Sequence, residues 1–433
     1  MARVHPQDEL TKSTERITVR TPYGTVKGGR AANGAAVFLE IPYALPPDRF
    51  EDPKPLPADY RYEDQDYIYE SKWLTHRVLL LKPRQIIRQH RMSSELLFNV
   101  EVPSQSLHPW RIDDNFGFKD QWLALLWIRD NIEKFGGMSS CCLLRTFWTI
   151  PKTPTELRPQ FEALCKALNL DPSSPHVLAQ LRDTIAFPWD RFTHVIEKHK
   201  IGKEFESFRG TLDGAWLATS PDDLMTWQRS GGFARALRTK GVRSIVVGDL
   251  TEEWFLYSIA HPITTAEDVV RNVRQYYPSD IMGKLFKCYS PVPEGATQKE
   301  LAKYMGEVLA DGRVHFPVRL LARDLLNAGF PMLRYEIRWT PEQFRPLDQA
   351  LWMFRLPTLE PSQAVAARTW LDVIDAETKA LQEGMNANAR DPKNVLALNE
   401  DKTISWRCDD KWGGLMRLRM AIPTEAGPAA SAL

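Results

Sequence analysis

Residues 115–137 read NFGFKDQWLALLWIRDNIEKFGG. This is the clearest helix in the chain, and its setting decides the fold. Leu123, Trp127, Asp130 and Lys134 fall on one face, and Leu125, Ile128 and Ile132 mark an apolar stripe beside it. Asp120 sits early and Lys134 late, each complementing the nearer end of the helix dipole. Gly136 or Gly137 supplies a C-cap. The text that follows, MSSCCLLRTFW at 138–148, has no regular period.

Working outward, ITVRTPYGTVKGG (17–29) has two short β-branched runs around Pro22–Gly24 and predicts a hairpin. AAVFLEIPYALPPDRFEDPKPL (35–56) predicts an apolar strand entering a proline-rich loop. Residues 155–183 predict two helices. SIVVGDLTEEWFLYSIA (244–260) predicts a buried strand at Ser244–Val247, a break at Gly248–Asp249 and then a helix. Residues 264–328 read as mostly helical. In FPMLRYEIRW (330–339), Leu333, Tyr335 and Ile337 alternate with charged neighbours, as in a strand. Residues 363–383 form an amphipathic helix. Strands separated by helices predict an α/β fold with a mostly parallel sheet. In such sheets functional groups follow the C-terminal ends of strands. That directs attention to the loops after Val247 and after Ile337. Glu252 and Glu253 occupy the first. Adjacent carboxylates at a helix start point in different directions and make a poor acid–base pair, so a plain dipole-stabilising role is the alternative.

Composition narrows the class. The chain has 433 residues, a formal charge of +1 and 26% charged residues. That balance gives no general attraction to nucleic acid or anionic membrane. The basic run Lys82–Arg91 is therefore read as solvated surface rather than a phosphate or lipid patch. The first residues lack the apolar core of a signal peptide, and no apolar run reaches the length of a membrane span. Five cysteines without paired spacing fit reduced thiols, and the expected location is cytoplasmic. His194 and His199 in HVIEKH lie about 140° apart on a helix, so they do not share a metal easily. GGFARALRTKG (231–241) lacks the Lys-Ser/Thr ending of a phosphate loop. No cofactor and no metal is expected, and the sequence gives no oligomeric state.

Taken together, YGTVKGG, VFLEIPYALPPDRFEDPKPLP and NFGFKDQWLALLWIRDNIEKFGG, followed in order by LDGAWLATSP and VVGDLTEEWFLYSIA, resemble the type-B carboxylesterase and cholinesterase family. YEIRWTPEQFRPL and ALWMFRLPTLEPSQ look like its intracellular fungal-type branch. The resemblance spans roughly Ile17 to Arg417. It implies an α/β-hydrolase fold with a central, mostly parallel sheet. The implied layout is an N-terminal extension at 1–16, a single domain at 17–421 with internal deletions, and a disordered tail at 422–433. The implied substrate is a small-molecule carboxylic ester. The implied mechanism uses serine, glutamate and histidine in that chain order, with backbone N–H groups of a His-Gly-Gly loop holding the oxyanion.

Only the acid of that set is present. LTEEW places Glu253 at the family's acid position, with Trp254 where the family has glycine. No nucleophile is found. GxSxG is absent, and Ser139 and Ser140 come too early and lack the small neighbours that a strained nucleophile turn needs. No oxyanion loop is found, because His108 is followed by Pro109, which has no N–H to donate. No catalytic histidine is found, because Leu347 runs directly into DQALWM and no histidine follows His315. Whole segments are missing while the rest keeps register, a pattern of misjoined exons or a damaged gene. The expected sheet is therefore incomplete, and the chain as written is expected to be a catalytically inactive homologue of ester hydrolases. The alternative is a pseudoenzyme acting as a protein- or ligand-binding module.

Overall fold

The computed structural model describes residues 6–31, 36–45, 47–69, 115–135, 142–143, 152–198, 210–214, 216, 221–261, 263–277, 279–292, 294–339 and 361–422. The chain divides into two compact units.

The first unit holds the N-terminal sheet and the opening helix. β1 (Arg16–Thr21) and β2 (Gly24–Arg30) form the expected hairpin, with Val19 opposite Val26 and Thr21 opposite Gly24. β3 (Ala36–Val37) pairs with β2, and β4 (Ala44–Leu45) with β5 (Lys54–Pro55). The short helix Pro6–Leu10 sends Leu10 into a cluster with Val37, Leu39 and Ile68.

The helix at 115–137 spans Phe116–Asn131 and tightens into a 3₁₀ turn at Ile132–Phe135. Its buried face runs through Ala124, Trp127, Ile132 and Phe135. Leu125, expected on an apolar stripe, is exposed together with Phe118 and Trp122. The helix is apolar nearly all round, so periodicity alone does not choose the face. The choice is made by partners. The Trp127 indole N–H donates to Tyr62 Oη at 2.9 Å inside the core, and Phe135 meets Phe38 edge-on at 5.0 Å. Asp120 also serves a specific partner as well as the dipole. It accepts the Tyr43 hydroxyl at 2.7 Å, and burial pushes its carboxyl up from the ordinary range.

The second unit is built on a five-stranded sheet. At one edge lies the two-residue strand β6 (Cys142–Leu143). The order is β6, β7 (Ile245–Leu250), β8 (Met332–Ile337), β9 (Asn394–Leu398) and β10 (Ile404–Cys408). β7 and β8 are parallel, with Leu250 opposite Ile337, and β8 and β9 are parallel too. β10 returns antiparallel to β9. Every residue of β7 and β8 is buried, as expected for strands covered on both faces.

Two sequence expectations are corrected here. β7 does not break at Gly248–Asp249. Gly248 sits where a Cβ would lie 2.2 Å from the Tyr335 carbonyl oxygen, so the close strand contact needs a glycine. Asp249 continues the strand because its charge is matched internally. The alternation in β8 is likewise not an inside–outside pattern. Arg334 and Glu336 are as buried as their apolar neighbours, and Glu336 pairs with Arg338 at 2.8 Å.

The helical expectations hold. Pro154–Ala167 and Val177–Arg182 are the two helices of 155–183, and Thr153 with Glu156 closes a capping box at the first. Ala266–Arg274, Ser279–Phe286, Gln298–Ala310 and Phe316–Asn327 fill 264–328. A wide π turn, Asp311–His315, joins the last two. It falls directly before Pro317, which has no N–H to continue the ordinary ladder. Pro361–Gln382 is the last long helix. The core gathers Met305, Val308, Leu309, Phe316 and Leu320 with Val269, Val273 and Leu285. A second cluster packs Val318, Leu321, Ala322 and Leu325 with Ile245, Val247 and Met332.

The basic run Lys82–Arg91, the region of His108, Ser139 and Ser140, the joint after Leu347 and the tail beyond Ile422 lie outside the described residues.

Candidate active-site elements

Glu253 closes the turn after β7 and stands at the N-cap of the helix Trp254–Ala260. Its side chain is fully buried. Oε1 accepts the backbone N–H of Leu250, the last residue of β7, at 3.2 Å. The carboxylate thus folds back onto the sheet end and makes no side-chain cap on the helix. That separates it from the plain dipole-stabilising role. Glu252, its neighbour, is half-buried, as expected for adjacent residues that point apart. The C-terminal ends of β7 and β8 are level here, since the Thr251 N–H donates to the Ile337 carbonyl at 3.1 Å. The two loops singled out from the sequence therefore leave the same end of the sheet. The second is described only to Trp339.

The helix after Glu253 is held close by a small residue. Gly306, on the facing helix Gln298–Ala310, lies where a Cβ would sit 2.3 Å from the Trp254 carbonyl oxygen. Backbone packs directly on backbone, which fixes the start of the helix that carries Glu253.

Two histidines follow Glu253 in the chain. His261 Nε2 lies 2.5 Å from Tyr276 Oη. His315 Nδ1 lies 2.8 Å from Asp249 Oδ2, deep in the interior. One nitrogen of each ring is thus engaged by a residue other than Glu253.

The His315–Asp249 contact belongs to a buried ion cluster that sequence reasoning missed. Asp249 Oδ2 also takes Arg319 Nη1 at 2.7 Å. Arg319 Nη2 reaches Asp409 Oδ2 at 2.8 Å, and Arg334 Nη2 bonds the same Asp409 oxygen. Arg334 further donates to the Pro392 carbonyl at 2.7 Å. Burial alone would push the Asp249 carboxyl up. The charges of Arg319 and His315 outweigh it and hold the group well below the usual carboxylate range. Asp409 behaves alike, with burial opposed by Arg319 and Arg334. One signal was available beforehand. His315 and Arg319 are four apart on a helix, hence on one face, and each needs a partner if that face is inward.

Among the described residues, no group of three or more His, Cys, Asp or Glu is placed to hold a metal ion. His194 is exposed on the helix Trp189–Lys198. Among the described residues, no helix is long and apolar enough to cross a membrane.

A parallel-centred sheet with helices between strands, and a buried acid at a strand's C-terminal end, define an α/β-hydrolase type of protein. Comparison with known proteins agrees. Residues 106–144, which include the opening helix, match the carboxylesterase family model. An uncharacterized esterase/lipase of Schizosaccharomyces pombe is 25% identical over 383 residues, covering 75% of this chain and 67% of that protein. A carboxylic ester hydrolase of Gibberella moniliformis is 25% identical over 265 residues, 51% of this chain and 46% of its own length. The chain thus spans about two thirds of one relative and less than half of the other. Among solved structures, the Geobacillus stearothermophilus carboxylesterase EST55 superimposes with a TM-score of 0.61 at 14% identity, covering 93% of this chain and 99% of that one. Aspergillus niger EstA gives 0.59 at 16%, covering 94% and 99%. The fold is that of the α/β-hydrolases, and in sequence the chain is similar to carboxylesterases.

Proposed function

We propose that this chain is a carboxylesterase-family protein that keeps the acid of the triad in Glu253 and, as written, performs no ester hydrolysis. The observation that carries the reading is the engagement of the histidines. A Ser-Glu-His order requires a histidine after Glu253. The two that follow bond Tyr276 and Asp249 instead. Neither of these bonds is to Glu253, and the sequence offers neither a nucleophile turn nor an oxyanion loop.

The substrate of an intact form would be a small carboxylic ester.

The test is labelling of the purified chain with a fluorophosphonate probe, alongside turnover of p-nitrophenyl butyrate. Neither covalent adduct nor saturable turnover is expected. Saturable hydrolysis that Glu253→Gln abolishes would overturn the proposal.

A further inference from the structure

The second unit carries a groove of about 530 Å³, lined by the end of the helix Trp254–Ala260 and the start of the helix Gln298–Ala310. Ile259, Ile263 and Ala302 supply apolar wall, and Lys299 supplies a charge. Among the described residues no carboxylate lines it. Glu300, next to Lys299, is turned back on its own cap, where it accepts the Thr297 N–H at 2.8 Å and the Thr297 hydroxyl at 2.7 Å.

Behind the groove wall the charge is again positive. His261 lines the groove and bonds Tyr276, and the Arg313 guanidinium lies over the Tyr276 ring at 4.4 Å and the Tyr257 ring at 5.8 Å. Arg313 Nε is buried with no hydrogen-bond partner, and among the described residues no carboxylate pairs with this guanidinium. Asp311, two residues away, instead accepts the Tyr289 hydroxyl at 3.0 Å. A cation held on aromatic faces keeps its field for another anion. The field is felt locally. Burial first, and Arg313 second, push His261 below its ordinary value.

We propose that this groove binds a small organic anion, a carboxylate on a short apolar body. The carboxylate is held by Lys299 and the field of Arg313, and the body lies on Ile259, Ile263 and Ala302. The apolar wall selects against inorganic phosphate, which has the charge but no body to bury. This inference does not rest on the role of Glu253.

The experiment uses the full chain with labelled histidine, and follows the His261 ring resonances while benzoate is added. Saturable movement is expected, at a dissociation constant on the order of 1 mM. Lys299→Gln, an exposed substitution, weakens binding about fivefold, and Arg313→Gln weakens it as well. Inorganic phosphate gives a smaller effect at equal concentration. Unsaturable shifts with benzoate, or unchanged binding in Lys299→Gln, would overturn the site. Equal binding of phosphate and benzoate would overturn the assignment to an organic anion.

Discussion

Replacing Arg319 by methionine is the sharpest test of how the sheet is held. The side chain is wholly buried and makes three contacts, to Asp249 at 2.7 Å, to Asp409 at 2.8 Å and to the His315 carbonyl at 2.9 Å. Removing one partner of a buried ion pair costs about 3–5 kcal/mol. Here each aspartate keeps a second partner, His315 for Asp249 and Arg334 for Asp409. The expected loss is therefore in the lower part of that range, about 3–4 kcal/mol. Urea unfolding followed by tryptophan fluorescence measures it. The double variant Arg319→Met with Asp249→Leu removes a charge of each sign. It should lose at least about 2 kcal/mol less than the two single losses added together. The difference between parent and Arg319→Met also has a set pH dependence. Both aspartates are held below the usual carboxylate range, so the stabilisation is full above their unfolded value of about 3.9 and fades as pH falls below it. Single losses under about 1 kcal/mol, or additivity within about 0.5 kcal/mol, would refute the reasoning.

Two further outcomes are expected. Gly306→Ala drives a methyl to 2.3 Å from the Trp254 carbonyl and should cost about 1–3 kcal/mol, whereas Gly413→Ala, with nothing within 4 Å, should stay within about 0.5 kcal/mol; thermal unfolding separates them. In alkylation by iodoacetamide followed by mass spectrometry, exposed Cys408 should react before Cys288 and Cys165. Buried Cys165 should react only as the protein opens, because burial, with Asp171 and Glu162 nearby, pushes its thiol up to about 12.

Much of the architecture was legible in residue patterns, because hairpins and capped helices are local. Val19 and Val26 flank the turn at Pro22–Gly24, which the β-branched runs on either side announce. The face of the helix Phe116–Asn131 was not legible, because its choice depends on Tyr62 and Phe38, more than 60 residues away. The continuity of β7 through Asp249 was not legible either, because an aspartate in a strand looks like a break until its arginine is in place. Glu253 was singled out through resemblance, and its inward turn onto Leu250 could not be read from two adjacent glutamates.

The shared oxygen of Asp409 sets a condition on synthesis. Arg319 and Arg334 leave the ribosome well before it, with Asp409 75 residues beyond Arg334. Until it arrives, two guanidinium groups bound for the interior have one aspartate, Asp249, to face. The sheet therefore closes only when nearly the whole second unit has been made, with β9 and β10 docked. A chain stopped short of Asp409 is not a smaller version of this fold. It keeps an unbalanced charge where the core should seal, and it is the kind of product that cellular quality control removes.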